Sequence, residues 1–160
     1  VRAALLNKIT PIIRVSENNE SLISKALDIG AQGVQVPQIN CEADARLVVE
    51  ASKFAPLGNR GVCRYVRAAG YSSKNKQQYF KESNKNTLVI IQIEGEKGLK
   101  NIDAILKVKA VDIIFIGPYD LSQSMGVPGQ TNHPKVVDAM KTVIERANRY
   151  NKKVGTSEIL

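Results

Sequence analysis

Two hydrophobic patterns alternate along the chain: short, nearly unbroken apolar runs, and longer stretches where apolar residues return every three or four positions. The runs at 88–93 (LVIIQI) and 111–117 (VDIIFIG) have the length and β-branched content of strands buried on both faces, as in a parallel sheet. Shorter runs at 9–15 (ITPIIRV), 33–37 (GVQVP), 61–65 (GVCRY) and 154–159 (VGTSEI) read as four further strands. The periodic stretches between them read as helices. Asn19 or Ser21 can cap the first, whose apolar face is Leu22, Ile23, Ala26, Leu27 and Ile29 and whose left-handed end is Gly30. Asn40 opens a second, with Ala43, Leu47, Ala51 and Phe54 on one stripe and a stop at Pro56 and Gly58. Residues 73–83 predict a polar helix, and 96–107 one that buries Leu99, Ile102, Ile105 and Leu106. Pro134 suits the first position of a long helix to about Asn151, lined by Val136, Val137, Met140, Val143, Ile144 and Ala147.

Strand and helix thus alternate through about six units, at a period of roughly 22–30 residues, with no linker or low-complexity segment. Residues 1–160 read as a single α/β domain on a parallel sheet, either a closed (β/α)8 TIM barrel or an open, doubly wound sheet. No glycine-rich dinucleotide fingerprint follows the first strand, which disfavours the open form. A complete barrel takes about 250 residues. The expectation is therefore an incomplete barrel, with early strands and the C-terminal end missing, because the chain starts without Met and stops at what reads as mid-strand.

Composition changes this picture little. Of 160 residues, 43% are hydrophobic and 24% charged, an ordinary globular balance able to bury a core. No run approaches a membrane span and no leader pattern opens the sequence, so no membrane partner is expected and the expected compartment is the cytoplasm. Cys41 and Cys63 lack metal-ligand spacing and read as reduced thiols, and the lone His133 cannot build a multi-histidine site. The formal charge of +8 raises the question of nucleic acid. Most lysines and arginines lie in polar segments with acids among them and no aromatic platform, so a solvated exterior is expected and no nucleic-acid partner. Arg14, Arg60, Arg64 and Arg67 fall nearer expected strand ends, where they can draw an anionic substrate.

Candidate chemistry sits at those ends. Pro118 cannot donate to a ladder, so its strand stops near Gly117 and leaves Asp120 on a loop just past the carboxyl end. The 88–93 run delivers Glu94 in the same way, one βαβ unit earlier, so the two carboxylates should emerge side by side at one rim. Such a pair, with room for water, forms a hard-cation site suited to magnesium or manganese. The competing reading is that each carboxylate caps the helix after it or pairs with a nearby lysine.

The motifs PIIRVSEN, ALDIGAQGVQVPQI, NRGV, VIIQIEG and IFIGPYDLSQSMGVPG, followed by HP, occur in that order over nearly the whole chain. Together they resemble the HpcH/HpaI aldolase family, whose relatives include the citrate lyase β subunit. The resemblance implies a (β/α)8 barrel that cleaves a 4-hydroxy-2-keto acid to pyruvate and an aldehyde through a metal-stabilised pyruvate enolate. It implies a divalent cofactor, Mg2+ or Mn2+ with Co2+ as a further candidate, a small-molecule 2-keto acid and aldehyde as partners, and a homo-oligomer. Carried over by position, the metal ligands fall on Glu94 and Asp120, and the arginine that steadies the enolate falls on Arg60. Gln92 and the turn Gly117, Pro118, Tyr119 and Asp120 match the substrate-binding positions, with the Tyr119 and Asp120 amides holding the substrate carboxylate. Cys63 and Tyr119 stand where the family commonly has smaller residues, and its acid-base histidine belongs to an early strand not among these residues. Two alternatives stay open: a lyase of citryl- or malyl-CoA-type thioesters, and a noncatalytic basic binding domain.

Overall fold

The computed structural model describes residues 1–157. Five strands form one parallel sheet: β1 (Ile12–Arg14), β2 (Gly33–Val36), β3 (Leu88–Ile93), β4 (Ile113–Ile116) and β5 (Lys153–Thr156). Their order across the sheet is their order in the chain. A doubly wound sheet reverses direction at its switch point, whereas a barrel wall never does, so the topology selects the barrel alternative. Helix α1 (Arg2–Leu6) precedes β1; α2 (Glu20–Asp28), α3 (Glu42–Ser52), α4 (Lys76–Asn86), α5 (Glu96–Lys100), α6 (Ile102–Leu106), α7 (Pro118–Ser124) and α8 (Pro134–Arg149) fill the crossovers.

Side chains alternate between the two faces of each strand. The helix-facing set is Val34, Val36, Val89, Ile91, Ile93, Ile114 and Ile116, every one fully buried. Ile23, Leu27, Val48, Ile105, Leu106, Met140 and Val143 cover it from the helices. Fully burying an aliphatic side chain of this size contributes about 1.5–3 kcal/mol, so this layer is the main support of the strand ends. In the ladder register, Arg14, Gln35, Ile90, Gln92, Ile113 and Phe115 take the opposite face. Ile113 and Phe115 are half-buried there, so β4 is fully buried on one face only, against the expectation of both.

Several elements differ from the sequence expectation. Residues 61–65 form no strand: β2 pairs directly with β3, and Val62 and Tyr65 are exposed with nothing apolar to cover them. The sheet therefore has five strands rather than six. The helix expected over 96–107 is two short ones, α5 and α6, broken at Asn101, whose side chain donates to the carbonyl of Asn40 at 2.8 Å. Of the stripe expected for α3, Ala51 and, just past the helix, Phe54 are buried, but Ala43 and Leu47 are exposed and Ala45, Val48, Val49 and Ser52 are buried instead. The Asp44 carboxylate accepts the amides of Asn40 and Cys41, and the helix is capped at Cys41, one residue later than expected. Asp120 lies not on a loop but in the first turn of α7, which Pro118 initiates. The last strand was expected to run to 159; β5 covers Lys153–Thr156, and residues 158–159 lie outside the described range.

Candidate active site

The register of β3 with β4 builds the rim. Ile93 pairs with Ile116, and the Gly117 amide continues the ladder to the carbonyl of Ile93 at 3.2 Å, which sets Glu94 directly beside Gly117. A Cβ at position 117 would lie 2.7 Å from Glu94 Oε2 and 2.9 Å from Glu94 Cβ, so only glycine leaves that carboxylate its place. Pro118 then turns the chain into α7, bringing exposed Asp120 near enough for its charge to act on Glu94. Leu121 donates to Gly117, while the first-turn amides of Tyr119 and Asp120 have no intrahelical acceptor.

The neighbouring strands complete the rim. After Pro37 ends β2, Gln38 takes a left-handed conformation (φ 57°) and aims its amide at Glu94 Oε1, 2.8 Å away. A non-glycine residue at positive φ is unfavourable unless its surroundings hold it there. Here Asn40 Nδ2 donates to the carbonyl of Gln38 at 2.9 Å and fastens the turn. From β1, Arg14 reaches across the same face, and its Nε donates to Gln92 Oε1 at 3.0 Å. Gln92 is buried, so the guanidinium is held at one edge while its outer edge stays at an exposed position.

Electrostatics follow from this packing. Burial raises the pKa of Glu94 above the usual carboxylate value, the Gln38 amide opposes that, the Asp120 charge raises it further and the Arg14 charge lowers it. Glu94, desolvated and with the Asp120 charge disfavouring its ionisation, forms with Asp120 a donor pair that a hard divalent cation would neutralise. Among the described residues no group of three or more His, Cys, Asp or Glu side chains is placed to hold a metal, so the protein would supply two oxygen ligands and leave positions for substrate and water.

The structure thus gathers Glu94, Asp120, Gln92, Gly117, Pro118 and Tyr119 at one rim, but it does not bring Arg60 there. Arg60 hangs from the carbonyl of Lys53, whose ammonium in turn donates to the carbonyl of Thr87, the residue before β3. Its Nη2 pairs with Asp28 Oδ1 at 2.7 Å, at the end of α2 that leads into β2. Glu94 lies past the other end of β3, a strand of six residues and about 20 Å in length. The placing of Arg60 beside the carboxylates is corrected accordingly: the arginine there is Arg14, which the sequence marked only as a strand-end cation. Tyr119 is 59% exposed at this rim. Cys63 is an exposed free thiol, and His133 accepts the amide of Lys135 as the cap of α8. Gln38 was not foreseen. Its one signal in the sequence is its position just after the proline that ends a strand.

A singly wound parallel sheet with helices in its crossovers is the wall of a (β/α) barrel, and the carboxyl rim, where these polar residues converge, is the end at which such barrels carry their sites. The chain belongs to the HpcH/HpaI aldolase/citrate lyase family, whose profile matches residues 2–154. It is 41% identical over 146 residues to the 2-keto-3-deoxy-L-rhamnonate aldolase of Klebsiella pneumoniae, a match covering 91% of this chain and 54% of that protein. Among solved structures it superposes on an HpcH/HpaI aldolase from Desulfitobacterium hafniense with a TM-score of 0.91 at 32% identity, covering 98% of this chain and 60% of that one. The citrate synthase SbnG gives a TM-score of 0.88 at 30% identity, covering 99% of this chain and 60% of that one. The chain therefore spans little more than half the length of these relatives. No helix among the described residues is long and apolar enough to cross a membrane.

Proposed function

We propose that this chain carries the cation-binding rim of a class II aldolase, a carbon-carbon lyase that cleaves a 4-hydroxy-2-keto acid to pyruvate and an aldehyde. The observation that carries the reading is the meeting of Glu94, Asp120 and the Arg14–Gln92 pair at one set of strand ends. A divalent cation, Mg2+ or Mn2+, held by Glu94 and Asp120 would supply Lewis-acid stabilisation of the developing enolate oxygen. Arg14 adds a fixed positive charge on the same face, and Gln92 holds its Nε so that the terminal nitrogens point toward incoming substrate. The free amides of Tyr119 and Asp120, behind the Gly117–Pro118 turn, would donate to the substrate carboxylate. In the cleavage the C3–C4 bond breaks, its electron pair enters the enolate of pyruvate, the 4-hydroxyl gives its proton to water as the aldehyde carbonyl forms, and a proton from water returned to C3 of the enolate completes pyruvate. The relatives named as 2-keto-3-deoxy-L-rhamnonate aldolases support this reading over thioester lysis. We also assign a single barrel domain, a cytoplasmic location and a homo-oligomer.

The test is metal-dependent release of pyruvate from 2-keto-3-deoxy-L-rhamnonate by the full natural chain, followed with lactate dehydrogenase. Arg14→Lys keeps the charge but loses the fork, and should lower kcat/KM by roughly 100-fold or more. Release of acetyl-CoA from a malyl or citryl thioester, with no pyruvate from the keto acid, would replace this reading with the lyase alternative.

A further inference from the structure

At the amino ends of the strands, away from the carboxylates, an open cavity of about 960 Å³ lies between the end of α2, the 3-10 turn Arg67–Ala69 and α4. Arg60, Arg67, Lys74, Tyr79, Glu82 and Lys85 all stand on its wall. Five buried side-chain polar atoms among the described residues lack a hydrogen-bond partner, and three of them are here: Arg60 Nε, Arg67 Nε and Tyr79 Oη. Arg60 is 4% exposed and Tyr79 6%. A buried donor left unpaired is unfavourable, and folding by itself gives no reason for three to collect around one cavity.

The donors are held in place. The Arg60 guanidinium stacks over the Phe54 ring at 4.8 Å and is anchored through Nη2 to Asp28, which leaves its Nε edge uncommitted. Arg67 packs against Gly30, where an added Cβ would sit 3.5 Å from Arg67 Nε. Burial pushes the Tyr79 hydroxyl up from the ordinary tyrosine value; the Arg60 guanidinium beside it opposes this by its charge and as a weak side-chain donor to the phenol oxygen, and the Asp28 charge adds to the rise, so at neutral pH the hydroxyl keeps its proton and can donate it. Charge points the same way. Arg60, Arg67, Lys74 and Lys85 share the wall with one carboxylate, Glu82, whose Oε1 already accepts from Gln78. Arg67, Lys74 and Lys85 enter no ion pair among the described residues.

We propose that this cavity binds a metabolite-sized molecule bearing a multiply charged oxyanion, a phosphate monoester or a polycarboxylate, through Arg60 Nε, Arg67 Nε and the Tyr79 hydroxyl. Its volume falls within the range of about 300–1,000 Å³ typical of small-molecule pockets. Guanidinium groups and a phenol hydroxyl are the donors such an anion takes up. The site is remote from Glu94 and stands or falls independently of the aldolase reading.

The test is calorimetric titration of the full natural chain, stripped of metal, with glucose 6-phosphate in one arm and tricarballylate in the other. Saturable binding of either probe is expected, and the arm that binds identifies the anion. Arg67→Gln should weaken it roughly 10- to 100-fold and Tyr79→Phe roughly 2- to 10-fold, the ranges for charged and neutral hydrogen bonds. Arg14→Gln at the opposite rim should leave it unchanged. The proposal is overturned if neither probe binds, if Arg67→Gln and Tyr79→Phe bind like the wild type, or if Arg14→Gln abolishes binding.

Discussion

Glu94 holds a negative charge where its surroundings disfavour one. Its folded pKa is raised above the usual value of 4.5, so the folded state binds the proton more tightly than the unfolded state. Stability from this group is then fully present below 4.5 and is lost as pH rises through the elevated folded value. Thermal melts of metal-free protein across that window should show Tm falling as pH rises, and Glu94→Gln should flatten the fall and melt above the wild type at neutral pH. The same carboxylate must ionise to take a cation, so manganese affinity should rise with pH over the same window and be lost in Glu94→Gln. Gly117→Ala tests the geometry apart from the charge. The methyl group would collide with the carboxylate, and manganese affinity should fall by about 10- to 100-fold in a titration while the fold persists. The two arginines separate cleanly. Arg60→Ala breaks a largely buried ion pair and should cost roughly 2–3 kcal/mol in a denaturant titration, less than a fully buried pair because Asp28 is partly exposed. Arg14→Lys should cost activity and little stability. Sequence spacing was enough to set Glu94 beside Asp120, because strand ends in successive βαβ units are neighbours. It could not choose between Arg14 and Arg60, because that choice depends on which end of the sheet a long connection returns to.

The β2 to β3 connection is the element that misled. Residues 61–65 alternate like a strand, yet a strand needs a neighbour to accept its ladder, and β2 and β3 already pair with each other. The connection forms a small outer cluster instead, with Phe54, Tyr79 and Phe80 in mutual ring contact beneath α4. Lys53 ties this layer to the sheet. Only 3% exposed, it donates from Nζ to the carbonyls of Asn84 and Thr87, and burial lowers its pKa. Lys53→Met keeps the apolar stem but leaves two carbonyls unpaired, and should cost about 2–4 kcal/mol in a denaturant titration. Helix α3 shows the opposite limit of pattern reading. Its apolar residues predicted the helix correctly, but the face packed on the core carries Ala45, Val48 and Val49 and leaves Ala43 and Leu47 exposed.

At the scale of the molecule, one sheet keeps two kinds of polar cluster at opposite ends. The run of fully buried valines and isoleucines under the helices fixes the strand positions, and the parallel register converts those positions into a common rim. Period-two alternation then puts Arg14 and Gln92 on one face of that sheet, leading to Glu94. The parallel α/β plan was legible from the apolar runs alone. The choice of barrel over open sheet rested on a missing fingerprint and on the family resemblance, and the strand order agrees with it.

The central claim is that this rim makes the enolate of pyruvate, and exchange of the pyruvate methyl protons with deuterated water tests it most directly. The measurement uses the full natural chain with and without manganese, beside its Glu94→Gln variant. Exchange that requires manganese and is lost in Glu94→Gln is the expected result. A folded, manganese-loaded chain that exchanges no protons, or a Glu94→Gln variant that exchanges them like the wild type, would contradict the account.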